Sequence, residues 1–262
     1  MTWMDTAAEL RKTRVPAVLV TLASVRGHAP REAGAKLIVT ADDLHGTIGG
    51  GNLEMTAVTR AREILASGSD SEPEMLTLRL NDKAPARYGR QCCGGEVSVL
   101  LESLPVPASV AIFGIGNIGL ELTRILARHD IDVHVSDSRP EHLEALDRLE
   151  PPVAQVHREF AVIGEEVLLG LPPGTHVLIM THDHAEDLHL CDAALARGDL
   201  GSIGLIGSSA KWQRFRKNLI AEGHAPEVVD TIDCPIGLPD LPGKQPATIA
   251  LSVAADLLSR MV

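Results

Sequence analysis

The stretch from Ser109 to Gly119 reads Ser-Val-Ala-Ile-Phe-Gly-Ile-Gly-Asn-Ile-Gly: a short apolar run closing on three glycines in the spacing Gly-x-Gly-x-x-Gly. No other segment restricts the fold as tightly. The apolar run reads as a buried strand, and the residues after Gly116 read as a helix start. The turn between them has to be tight, which suits residues without a Cβ. Gly114, Gly116 and Gly119 therefore either admit a diphosphate to the helix N-terminus or let helix and strand pack closely. Asp137 stands about 20 residues further on, at the end of the next apolar run, where a carboxylate can hold ribose hydroxyls.

The remainder of the second half repeats the alternation. Ser109–Phe113, Asp132–Ser136, Val153–His157, His176–Met180 and Ser202–Leu205 are short apolar strand candidates. Helical segments separate most of them, a further helix is expected over Ser209–Glu222, and the chain runs from Pro246 to about Met261 in another. This order implies an α/β fold: a Rossmann-like, doubly wound parallel sheet. Pro105 and Pro107 mark a boundary, which predicts domains at 1–105 and 106–262. The first is a smaller α+β domain. Its expected elements are a helix over 2–13, a strand at Val15–Ala23, and a hairpin of Lys36–Thr40 and Leu44–Ile48. A helix from Asn52 to Ala66 with Asn52 as N-cap follows, then strands at Glu74–Leu80 and Glu96–Glu102.

Charge and composition narrow the function. The net charge is −11 and aromatics make up 2%, so neither a nucleic-acid backbone nor a single-stranded stacking platform fits. Residues 1–105 hold 12 basic and 13 acidic residues, the rest 12 and 22, so an anionic ligand is better received by the first domain. No run approaches the ~20 apolar residues of a membrane span, and no basic-then-apolar segment opens the chain. With Cys92 and Cys93 adjacent and only Cys191 and Cys234 besides, a disulfide framework is not expected, and a reducing cytoplasm is.

Four further constellations can carry chemistry. Gly46–Glu54 contains Gly49-Gly50-Gly51 directly before a helix, an anion-friendly end, and Arg31 and Lys36 add cations nearby. Gln91-Cys92-Cys93-Gly94-Gly95 offers a soft thiolate ligand with Arg87 and Arg90 close by, or a pair of buried inert thiols. Thr181-His182-Asp183-His184-Ala185-Glu186-Asp187 ends a predicted strand. His182, His184 and Asp187 there can serve as catalytic or ligand contacts, as metal ligands, or as a helix cap. Gly204–Ser209 with Lys211 closes another strand, where Ser208 can help hold an anion and Ser209 can equally be an N-cap.

Taken together these segments, with Cys234-Pro235-Ile236-Gly237, resemble the xanthine dehydrogenase accessory proteins of the XdhC/CoxI family. Two positions differ from the family's usual pattern: His28 stands where Ser is common, and Asn117 where His is common. The resemblance implies an accessory protein, more a chaperone than a turnover enzyme. It would bind the molybdenum cofactor (molybdopterin), support its sulfuration and deliver it to xanthine dehydrogenase or a related molybdenum hydroxylase apoenzyme. A cysteine desulfurase is an implied partner and a homodimer an implied assembly, with the stripe Ile249, Val253, Leu257, Leu258 as candidate surface. The expected cofactor-binding residues are Arg31, Lys36, Gly49, Gly50, Gly51, Cys92, Cys93, Gly114, Gly116, Gly119, Asp137 and Ser208, with Cys93 on the molybdenum. The glycine motif leaves NAD(P) or another nucleotide open as a second ligand. Two rival readings are an NAD(P)-dependent oxidoreductase and a metal-dependent hydrolase built on His182, His184 and Asp187.

Overall fold

A computed structural model describes residues 2–68, 72–80, 95–241 and 243–261. The chain divides into two compact units, Met1–Pro107 and Ala108–Val262.

The first unit is α+β. Its elements are α1 (Trp3–Lys12), β1 (Ala17–Arg26), β2 (Lys36–Val39), β3 (Leu44–Gly46), α2 (Gly51–Ser67), β4 (Glu74–Arg79) and β5 (Glu96–Leu104). The strands form one antiparallel sheet in the order β3-β2-β1-β5-β4. Alternate side chains face opposite sides of it. Val18, Val20, Leu22, Leu37, Val97 and Val99 bury against Leu53, Ala57, Ala61 and Ile64 of α2. Leu19 and Ile38 bury on the other side against Ala7 and Leu10 of α1. A capping box between Thr2 and Asp5 starts α1. The strand expected at Val15–Ala23 begins and ends later. A bulge between Leu22 and Ser24 lets β1 go on pairing with β5 as far as Arg26, long-range pairing that outweighs the polar composition of that end.

The second unit holds β6 (Ser109–Phe113), α3 (Asn117–Leu126), β7 (Asp132–Asp137), α4 (Pro140–Glu144), β8 (Gln155–Phe160), α5 (Gly164–Gly170) and β9 (His176–Ile179). It continues with α6 (His184–Arg197), β10 (Ser202–Leu205), α7 (Ser209–Ala221), α8 (Pro226–Val229), β11 (Ile232–Asp233) and α9 (Pro246–Arg260). Its six strands are all parallel, in the order β11-β10-β9-β6-β7-β8. Counted from β6, that is the doubly wound Rossmann order, with the switch point between β6 and β9. Val110 and Ile112 point to one face, covered by Leu122 and Leu126 of α3 and Ala250, Val253 and Leu257 of α9. Ala111 and Phe113 point to the other, covered by Leu168, Leu190, Leu195, Phe215 and Leu219.

Several expectations need correction. The stripe of α9 offered as a dimer surface is spent inside its own unit: Val253 and Leu257 are buried, and Ile249 and Leu258 pack against the same cluster. The third strand lies at Gln155–Phe160 rather than Val153–His157. The Val153 and Ala154 amides bond to the Ala127 carbonyl instead of joining the ladder. The two-residue β11 gave no apolar run to recognise. Among the described residues no helix is long and apolar enough to cross a membrane.

The close approach of α3 to the β6 turn generates a stability prediction. A Cβ at Gly119 would lie 2.2 Å from the Gly114 carbonyl oxygen, whereas one at Gly116 meets nothing within 4 Å and its φ of −78° suits any residue. Gly119→Ala should lower unfolding free energy by about 2 kcal/mol or more, and Gly116→Ala should leave it nearly unchanged. Urea denaturation of the two variants tests the contrast.

Candidate functional site

The switch point gathers the ends of four parallel strands. At the end of β6, Gly114 takes φ +101°, and a Cβ there would sit 2.4 Å from the Met180 carbonyl oxygen. Gly114 and Gly119 are thus required by backbone packing alone. Gly116 is not: it is the N-cap of α3, no side chain caps that helix, and the space beside it is open. This is the motif position left available for a ligand.

Asp137, at the end of β7, does not present its carboxylate for a ribose. Its side chain is 2% exposed. Oδ2 accepts from the Ile115 amide at 2.7 Å and Arg139 Nη2 at 2.9 Å. Oδ1 accepts from the Arg139 amide at 2.9 Å and Arg139 Nε at 2.8 Å. Burial pushes the Asp137 carboxyl upward, but the Arg139 fork and the two amides outweigh it and hold it below the ordinary carboxylate range. Within the chain, Asp137 ties the glycine turn to β7.

At the end of β9 the acidic–histidine segment sorts itself by position. Asp183 is the N-cap of α6, accepting from the Ala185 and Glu186 amides. His182 and His184 are exposed. Asp187 is buried and accepts from the Thr181 amide and hydroxyl at 3.0 and 2.8 Å. Its other oxygen takes Lys211 Nζ at 2.5 Å, and that ammonium also donates to the Ile206 carbonyl at 2.8 Å. A buried ion pair thus fastens the loop after β9 to the loop after β10. Among the described residues no three His, Cys, Asp or Glu side chains converge to hold a metal. The metal-hydrolase reading loses its carboxylate to Lys211. Glu186, half-buried on the same bank, is pushed up by burial; sequence pattern alone did not distinguish it from its neighbours.

After β10, Ser208 rather than Ser209 caps α7, accepting from the Lys211 amide. A side chain at Gly207 would meet Lys211 and, 3.3 Å away, Cys234 Sγ. Burial raises the half-buried Cys234 thiol, with Lys211 opposing. Cys191 is a core residue of α6, and burial raises its thiol far out of range.

In the first unit, Gly49, Gly50 and Gly51 take φ of +125°, +72° and +62°, so the glycines are needed for backbone shape. A Cβ on Gly49 would sit 2.7 Å from Pro30, whereas one on Gly50 meets nothing within 4 Å. Asn52 is not the N-cap; Gly50 is. The anion at this end is partly built in. Glu54 accepts from the Ile48 amide at 3.0 Å, the Gly50 amide at 3.2 Å and the Thr47 hydroxyl. Arg31 is exposed beside a shallow groove of about 410 Å³ lined by Pro30, Glu32, Ala33 and Ala35. Lys36 does not join it. Its ammonium donates to Thr21 at 2.8 Å and lies over the Trp3 ring, on the α1 face of the sheet. Cys92 and Cys93, with Arg87, Arg90 and Gly94, lie outside the described residues. Of the flanking residues, the Leu80 amide donates to the Gly95 carbonyl, and a Cβ on Gly95 would lie 2.3 Å from the His28 carbonyl oxygen.

Two outcomes follow from these pairs. Asp187→Asn should cost roughly 3–5 kcal/mol, because it leaves the Lys211 ammonium buried without its counter-charge; Asp187→Leu combined with Lys211→Met should recover much of it. Chemical denaturation of the three proteins measures this. Asp137, held below its unfolded value of 3.8, contributes stability above that pH and loses it as pH falls through the folded value. Asp137→Asn should therefore be less stable at neutral pH and show a flatter loss of stability below about pH 4.

Comparison with known proteins gives these features a family. The XdhC Rossmann domain matches over residues 110–257, and the XdhC and CoxI family over residues 10–79. The Uncharacterized protein YqeB of Escherichia coli K12 is 26% identical over 253 residues, 96% of this chain and 45% of its own. The Molybdenum cofactor insertion chaperone PaoD of the same organism is 36% identical over 89 residues, 34% of this chain and 26% of its own. The chain thus spans less than half the length of these curated relatives. A solved structure from Bacillus halodurans, described as a xanthine dehydrogenase, covers 99% of this chain and 96% of its own at 20% identity, with a TM-score of 0.48. A parallel six-stranded sheet in Rossmann order, its glycine turn at the switch point, and a matched family model over more than half its length place this chain in the XdhC/CoxI family.

Proposed function

We propose that this chain binds the molybdenum cofactor and hands it to a molybdenum hydroxylase apoenzyme, such as xanthine dehydrogenase. The reading is supported above all by the 36% identity, over 89 residues, to a protein named as a molybdenum cofactor insertion chaperone, together with this chain's own match to the XdhC and CoxI family. The proposed partners are the apoenzyme and a cysteine desulfurase that supplies sulfur for maturation; the proposed setting is the cytoplasm.

The residues of the first unit suit such a group. The cofactor combines a phosphate, a pterin and a metal-bearing dithiolene. Arg31 is exposed and has the charge for the phosphate. Gly50 leaves its backbone open on the side where a Cβ would stand, so a bulky ligand can come close. Cys93, next to two glycines in sequence, is the proposed thiolate toward the metal, with Cys92 beside it. The bound group supplies the metal chemistry to the enzyme that receives it; the chain's own residues bind, orient and release. A carrier has to let go, and an exposed arginine at a shallow groove binds without burying its charge. An NAD(P)-dependent oxidoreductase is the second reading. The open Gly116 position favours it, and substrate-dependent oxidation of NADH or NADPH by the isolated protein would support it.

Anaerobic purification followed by molybdenum and pterin analysis tests the first reading. The expected result is co-purifying molybdenum and pterin. Cys93→Ser should reduce molybdenum retention and activation of the apoenzyme without loss of fold. Arg31→Ala should weaken binding about tenfold, as loss of one charge-assisted hydrogen bond does, and make it less sensitive to salt. Wild-type protein free of both molybdenum and pterin would overturn the reading. Unchanged retention in both Cys92→Ser and Cys93→Ser would overturn the thiolate role and leave an electrostatic carrier.

A further inference from the structure

We infer that Arg139, and not Asp137, is the specificity-determining residue of the Rossmann crevice, and that it selects a ligand carrying a phosphate monoester. This concerns the second unit and stands or falls apart from cofactor carriage by the first.

Three observations carry the inference. First, the end of β7 is where a Rossmann sheet reads the sugar of a nucleotide, with a carboxylate for a ribose diol or an arginine for a phosphate attached to that sugar. Here both carboxylate oxygens of Asp137 are occupied, by the Ile115 amide and by the amide, Nε and Nη2 of Arg139. A diol would have to displace a bidentate ion pair and a backbone amide from a side chain that is 2% exposed. Second, the same fork aligns the arginine. Nε and Nη2 are spent on Asp137, the Arg139 side chain is 30% exposed, and Nη1 has no hydrogen-bond partner among the described residues. The crevice therefore offers a held guanidinium with a spare donor edge, and a phosphate that takes this edge does so beside the carboxylates of Glu141 and Glu186 and in competition with them. Third, Gly116 is the one glycine of the turn that packing does not require. It opens the α3 N-terminus, which has no side-chain cap, at the β6 end of the same crevice.

A phosphate monoester can reach this site on two kinds of molecule: a nucleotide phosphorylated on its ribose, or a pterin cofactor through its own phosphate. Both present the same dianion to Arg139, and competition between them identifies the source.

Isothermal titration of the full chain with NADP+ and NAD+ tests the proposal. The two probes differ by one phosphate monoester. NADP+ should bind about 10- to 100-fold more tightly, the range expected for charge-assisted hydrogen bonds to one phosphate. Arg139→Ala should erase that advantage by bringing NADP+ down to the affinity of NAD+, while the Ile115 amide and the backbone amide of position 139 still engage Asp137. A residue that merely supported the fold would lower both affinities together. Arg139→Lys keeps the charge without the fork and should hold an intermediate preference for NADP+; it serves if the alanine variant does not fold. Displacement of NADP+ by anaerobically isolated molybdenum cofactor would assign the site to the pterin phosphate, and no displacement to the nucleotide. Equal or tighter binding of NAD+ by the wild type, a parallel loss of both ligands in Arg139→Ala, or no binding of either dinucleotide would each overturn the inference. The three overturning outcomes leave molybdenum retention by the first unit untouched, so the two readings fail separately.

Discussion

The Gly114 carbonyl lies so near the Cα of Gly119 that no side chain fits between them, and much of the second unit is arranged around that contact. It brings the first turn of α3 down onto the end of β6. Gly114 in turn meets the Met180 carbonyl across the switch point, so β9 is held against the same turn. Asp137 then fastens β7 to it through the Ile115 amide. Three strand ends and one helix N-terminus are fixed by backbone atoms and a single carboxylate. The loop after β10 joins through a different device, the buried pair of Asp187 and Lys211. Such a pair contributes little net stability once its desolvation is counted, but its geometry is hard to replace piecemeal.

A common theme runs through both units. Where glycines and helix starts suggest a place for an external anion, the chain often provides its own. Glu54 collects the amides of the triple-glycine turn, Asp137 that of the β6 turn, and Asp183 those of α6. Internal carboxylates set the loop shapes in advance, so that a ligand need not order them on arrival. Among the described residues, what stays open includes Gly116 with the outer edge of Arg139 in one unit and Gly50 with Arg31 in the other. Reversible binding of a phosphorylated group is consistent with sites of this kind, held rigid behind and open in front.

Most of the fold was legible from the residues. The alternation of apolar runs and helical segments after Pro107 fits only a parallel, doubly wound sheet, because consecutive parallel strands need crossovers. Errors fell where tertiary contacts overrode local pattern. The edge strand β8 is largely polar and moved along the chain, since its ladder is set by β7. The apolar stripe of α9 is as good a dimer surface as a core stripe in one dimension; only its packing on α3 decides. The site was legible as a set of segments and not as a set of roles. Asp137, Asp187 and Lys36 are chemically able to bind a ligand, and each is engaged by a partner distant in sequence or on another element: Ile115, Lys211, Thr21.

The sequence by itself determined that Gly114, Gly116 and Gly119 form a strand-to-helix turn, that a Rossmann-like sheet follows, and that the chain shares the motifs of the XdhC/CoxI family. Those are local properties, set by backbone freedom, hydrophobic period and the order of motifs. Only the tertiary structure decided which of the three glycines is free of packing, which charged side chains are already neutralised, and which one still faces outward. Whether a carboxylate or a guanidinium greets a ligand depends on which groups meet it across the fold, and a list of residue types in order does not contain that information.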